Sequence, residues 1–123
     1  MNESLTEEAF EEALYQFTGT SCFYRHEFTK LKLTDGAQFV REKGGAYWLI
    51  DEIAFAQELE PAVAAEMFQD WKLRVEDDRS ATLTCGDGNG KIVFKKEIPF
   101  TDFPLKRLTL WMTFDTILLP SEY

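Results

Sequence analysis

Proton transfer and nucleophilic attack call for His, Cys or paired carboxylates, and this chain holds only one His and two Cys in 123 residues. His26 lies two residues from Tyr24, so in a strand the imidazole and the phenol share a face as a proton-transfer pair. The plainer reading of His26 is a hydrogen-bonded or surface side chain. Spacing excludes Cys22 and His26 as nucleophile and base, because four residues of strand hold them about 13 Å apart. Asp51 and Glu58 fall on one face of a helix and, with Asp102, have the makings of an acid pair or a hard-cation site. The simpler account has Asp51 accept hydrogen bonds from loop amides or Tyr24 and pin its helix, which needs no ligand. Asp87-Gly88-Asn89-Gly90 begins like a calcium loop, yet it lacks the Glu that closes one and suits a tight hairpin. With no Gly-rich phosphate loop and no paired metal-ligand spacing, neither a metal nor a cofactor is expected.

The aromatic side chains Tyr24, Tyr47, Trp48, Trp71, Phe100, Phe103 and Trp111 read mostly as core, although Tyr and Trp also anchor interfaces. The candidate binding set is therefore Tyr24, His26, Tyr47, Trp48, Asp51 and Asp102, with no catalytic residue assigned.

These groups need elements to hold them. At about 100° per residue, Ala46, Leu49, Ile50, Ile53 and Ala54 form one broad apolar face, while Tyr47, Trp48, Phe55 and Leu59 carry apolar surface round the flank. This predicts a central buried helix that starts after Gly44-Gly45 and stops near Glu60, before Pro61. Upstream, Ser4 with Glu7 forms a capping box for a first helix that Gly19 should end as a left-handed cap. Residues 21–28 and 30–33 read as strands, and Thr34-Asp35-Gly36 as the entry to a second helix at about 35–43. Past Pro61 the period changes to two. Gln69, Trp71, Leu73 and Val75 alternate with polar residues, as do Ala81, Leu83 and Cys85, and a hairpin turn leads to Ile92, Phe94 and a Lys-rich outer face. Residues 108–112 and 116–119 make a last hairpin after the Pro-flanked connection 98–104. The expectation is one α+β domain over residues 1–123, with helices at about 4–66 and an antiparallel meander of about five strands at about 68–119. The central helix should lie across the sheet.

A net charge of −9 and 45% apolar residues describe a globular chain without the clustered Lys and Arg that docking on nucleic acid needs. No apolar run reaches the ~18 residues of a membrane span, and the N-terminus has no signal-like pattern, so a cytoplasmic address is expected. Residues 1–12 hold five Glu and no base, either a solvated face or one that meets a basic partner. Cys22 and Cys85 read as reduced, small buried hydrophobes.

Several words in order carry a resemblance: Phe17-Thr18-Gly19-Thr20, Gly45-Ala46-Tyr47-Trp48-Leu49-Ile50-Asp51-x-Ile53-Ala54, Thr101-Asp102-Phe103-Pro104-Leu105 and the ending Leu118-Leu119-Pro120-Ser121-Glu122-Tyr123. With Thr34-Asp35-Gly36, Trp71-x-Leu73 and Asp87-Gly88-Asn89-Gly90, they make nearly the whole chain resemble a family of small uncharacterised proteins, a domain of unknown function found in bacteria and on plasmids and phages. The resemblance implies no activity. It implies a mobile-element setting, with host-interaction or anti-defence roles.

The inventory favours a small acidic, non-enzymatic interaction module for a basic partner, including a nucleic-acid-binding protein met through mimicry of phosphate charge. The alternative is a small-ligand binder or enzyme with a pocket between the central helix and the sheet. A third option is self-association through an apolar edge left by the last hairpin.

Overall fold

Thr6 opens the first helix, α1 (Glu7–Leu14), by accepting the Ala9 amide at its hydroxyl, 3.0 Å. It is also the first residue that the computed structural model describes, the described span being 6–123; Ser4 of the expected capping box lies outside it. The helix stops well before Gly19, because the amides of Tyr15, Gln16 and Phe17 each turn to the carbonyl three residues back and tighten the last turn. Phe10 carries α1 into the core, against Phe39 and edge-on to Phe103.

The expected strand at 21–28 shrinks to β1 (Tyr24–Arg25), which pairs with β2 (Lys32–Leu33) as a hairpin whose loop is closed by the His26 amide on the Leu31 carbonyl. α2 (Asp35–Lys43) follows, capped by Thr34 Oγ1 on the Ala37 amide. The Gly44-Gly45 junction then uses its two glycines differently. Gly45 sits at φ +62°, where only glycine is unstrained, while a Cβ on Gly44 would lie 2.6 Å from the Val40 carbonyl and 2.7 Å from the Phe103 ring. α3 (Tyr47–Leu59) is the central helix, and its face of Ala46, Leu49, Ile50, Ile53 and Ala54 is sealed to 1% exposure or less. A four-residue turn of helix, α4 (Pro61–Ala64), takes Pro61 at its first position.

Five antiparallel strands complete the chain: β3 (Phe68–Val75), β4 (Ala81–Gly86), β5 (Ile92–Ile98), β6 (Arg107–Thr113) and β7 (Thr116–Leu118). Their order is not the expected meander. The sheet runs β1-β2-β7-β6-β3-β4-β5, so β6 returns to lie beside β3 in a Greek key, and β2 joins β7 in parallel to make a seven-stranded mixed sheet. The reason lies in the connection after β5. Arg79, opposite it, donates from its guanidinium to the carbonyls of Thr101 and Phe103 at 3.0 and 2.7 Å, and Phe103 is wholly buried among Phe10 and Gly44. Tied down there, the chain re-enters beside β3 rather than folding back on β5. The β6–β7 turn places Phe114 and Asp115 at φ +51° and +56°, the geometry of a two-residue turn that matches strand twist. Because β2 covers β7, the last hairpin is not an edge; the edges are β1 and β5, and β5 is guarded by Lys95 and Lys96.

One sheet face meets the helices: Leu49 and Ile53 of α3 pack on Trp71, Leu73, Leu83, Leu108 and Leu110 and leave no room there for water. The buried Gln69 locks α3 and α4 to β3. Its amide exchanges hydrogen bonds with Gln57 at 2.8 Å both ways, donates to the Val63 carbonyl and accepts the Trp71 indole N–H. At the other end Glu122 caps α2: it accepts the Gly36 amide at 2.8 Å and the Thr34 hydroxyl at 2.6 Å, which suits the positive end of a helix dipole. A Cβ on Gly36 would strike Leu119 and Glu122. No helix is long and apolar enough to cross a membrane among the described residues.

Candidate functional site

Tyr47, Asp51 and Phe55 recur every four residues along α3, so they line one flank of the helix. The β1–β2 hairpin folds back onto that flank. His26, its side chain fully buried, places Nε2 2.8 Å from Asp51 Oδ1, and Asp51 stays 44% exposed. The tautomer follows from the neighbours. The Phe28 backbone N–H can only donate and it faces Nδ1, so Nδ1 accepts and Nε2 carries the proton to Asp51. Thr29 Oγ1 accepts the Leu31 amide and donates its own hydrogen to Nδ1 at 2.9 Å. The result is a chain from hydroxyl to imidazole to carboxylate that ties a six-residue loop to the central helix.

Rings close over this chain. His26 meets Phe55 edge-on at 5.8 Å and Phe28 at 6.1 Å, and Phe28 stacks on Phe55 at 6.4 Å while remaining 75% exposed. A turn towards the N-terminus, Arg41 lies 5.0 Å over the Tyr47 ring, bonds Glu27 at 2.9 Å and bonds Gln38. Glu27 is held below the usual carboxylate range by its own backbone amide and then by the Arg41 guanidinium. Buried Arg41 thus fixes Tyr47, half exposed, at one end of the strip, while Phe28 stands at the other. Between α3 and the hairpin opens a hollow of about 590 Å³, with Glu27, Thr29, Gln57 and Glu58 among its lining.

The remaining residues singled out from the sequence go elsewhere. Tyr24 faces Asp35, whose carboxylate raises the phenol pKa; Asp35 is itself lowered, first by the Ser21 amide. Trp48 packs against the core, and Asp102 is exposed on the connection after β5. Tyr24 and His26 therefore turn to different carboxylates, because β1 ends at Arg25 and the strand spacing no longer applies. Among the described residues no three His, Cys, Asp or Glu side chains gather as a metal site. Cys85 is buried and desolvation pushes its thiol up to about 12, whereas Cys22 is exposed, which corrects its reading as a buried hydrophobe: the strand expected to bury it does not form. Thr29, Phe28, Arg41 and Glu27 were missed. The available signal was a lone His beside a Thr and a Phe in a short turn, ambiguous without knowing where the hairpin lands.

The fold and site thus define an α+β domain with an aromatic and acidic strip on its central helix. The chain belongs to the family of unknown function DUF6876, whose model matches residues 8–123. No curated protein and no solved structure matches the chain.

Proposed function

We infer that this chain is a cytoplasmic, non-enzymatic interaction module that captures a basic protein on the strip from Tyr47 through Asp51 to Phe28. The observation that carries this reading is the pair of exposed rings, Tyr47 and Phe28, which contact the buried Arg41 and His26 on either side of a half-exposed carboxylate. Rigid aromatic rings supply contact area at little entropic loss, and Asp51 and Glu58 add the charge that attracts Lys and Arg, Glu27 being already paired with Arg41. The net charge of −9 supports fast, salt-sensitive association with such a partner. The sequence resemblance suggests a bacterial setting on plasmids or phages, where a host nucleic-acid-binding protein offers a basic surface and anti-defence is the role.

The test is affinity capture at low salt with wild type and with Phe28→Ser/Tyr47→Ser, both exposed positions. The expected result is a partner eluted by about 0.5 M salt and missing from the double variant. Equal recovery on both proteins overturns the strip as the site.

A hydrolytic reading has one observation in its favour, the Thr29–His26–Asp51 chain beside the hollow. Yet the imidazole is sealed and both its nitrogens are engaged, so the hydrogen bonds describe a pinned loop. Covalent labelling of Thr29 by a fluorophosphonate, lost in His26→Gln, would revive it.

A further inference from the structure

The sheet face turned away from the helices is slightly cationic on an acidic chain: Lys72, Arg74, Lys95 and Arg107 stand there with Asp70, Glu76 and Glu97. Strand register arranges its outward side chains in rows: Thr109, Lys72, Thr84 and Lys95 form one, and Arg107, Arg74, Thr82 and Glu97 the next. Arg74 and Arg107 stand directly across from each other, a like-charge pair that Glu76, 3.0 Å from Arg74 Nε, offsets on one side only. Lys72, Arg74 and Lys95 surround a shallow trough of about 540 Å³ with Thr82, Thr84 and Ile92, and no carboxylate is among its lining residues. The cations are within reach of a ligand. Their side chains are 58%, 66% and 63% exposed, and their pairs with Asp70, Glu76 and Glu97 are surface pairs to near neighbours, which exchange readily. Among the described residues Arg107 makes no ion pair at all.

We propose that this face binds an extended acidic segment of a partner protein, its carboxylates lying over Lys72, Arg74 and Lys95. Charge complementarity names the occupant's sign, and spacing names its form. Lys72 and Arg74 are two residues apart on one strand, about 7 Å, which is also the distance between alternate carboxylates of an extended peptide. Thr82 and Thr84 add hydroxyl donors between them. A nucleic-acid strand fits less well, since the trough has no aromatic ring on which a base could stack. This surface lies on the opposite side of the sheet from α3, so the inference is independent of the strip on the central helix.

The test uses fluorescence anisotropy with a labelled peptide of about twelve residues, alternating Glu and Thr, at about 20 mM and 300 mM salt. The expected result is binding at low salt that weakens at least about tenfold in Lys72→Gln/Lys95→Gln and at high salt, with Lys106→Gln, a lysine outside the trough, unchanged. Urea melts of the variants keep a folding loss distinct from a binding loss, and single Lys72→Gln and Lys95→Gln proteins serve if the double variant melts early. No binding at low salt, or binding indifferent to the trough lysines, overturns the proposal. So does an oligothymidine that binds the trough more tightly than the peptide, or sedimentation showing that a second copy of the chain occupies the face.

Discussion

Asp51→Asn isolates the bond on which the hairpin's position depends. In the native protein His26 Nε2–H donates to a charged acceptor at 2.8 Å. The asparagine side chain keeps the shape and can offer its amide oxygen to the same hydrogen, so a neutral hydrogen bond replaces a charge-assisted one. Bonds to charged groups contribute about 1.5–3 kcal/mol and neutral ones about 0.5–1.5, a difference near 1 kcal/mol. Because Asp51 is 44% exposed, water screens part of the charge, and the expected loss lies at the lower end, about 0.5–1 kcal/mol. With an m-value of about 2 kcal/mol/M for a chain of this size, the urea midpoint should fall by roughly 0.3–0.5 M at constant m. His26→Gln in the same background should then cost less than it does alone, since the two residues share one interaction. A midpoint that stays put or rises in Asp51→Asn would refute the argument, because it would mean the carboxylate is strained where it lies and held for a ligand.

Three further outcomes follow from the packing. Gly44→Ala should destabilise by about 2–3 kcal/mol through its clash with the Val40 carbonyl and Phe103, and Gly45→Ala by only about 1 from its left-handed φ with open space around it; thermal melts that reverse this order contradict the account. Glu122→Gln should lower stability by about 1–2 kcal/mol, seen as an earlier urea midpoint, because the cap of α2 loses its charge. Only Cys22 should react with a thiol reagent in the native protein at neutral pH, and both thiols in denaturant, given the burial and raised pKa of Cys85.

Much of this architecture could be read from local pattern, and the parts that could not share a physical cause. The apolar face of α3 was readable because 3.6-residue periodicity survives over thirteen residues, and β3 and β4 because alternation survives over eight and six. β1 and β2 are two residues each, too short for any period, so the parallel pairing of β2 with β7 leaves no mark on the sequence. The Greek key was hidden for a different reason. The β3–β4 and β6–β7 hairpins look the same whichever strands they lie beside, and what decides is Arg79 gripping the carbonyls of Thr101 and Phe103, a contact to backbone that no side-chain pattern announces.

The site repeats this division. Asp51 as a helix-pinning acceptor could be argued from its place among apolar neighbours, but its partner could not: loop amides or Tyr24 were the expected donors, and the donor is His26. Topology supplied it. With β1 ending at Arg25, the chain turns so that His26 faces α3 while Tyr24 faces Asp35, and two side chains two residues apart serve separate carboxylates. The outward rows of the sheet show the converse case, where the residues were plain and only their neighbours were hidden. Lys72 and Arg74 read as solvent-facing from alternation alone, yet the pairing of Arg74 with Arg107 needs the register of a strand thirty-three residues away. Glu76 offsets Arg74 at 3.0 Å while Arg107 lies across from it, so long-range pairing builds a cationic row that no local preference of either strand announces.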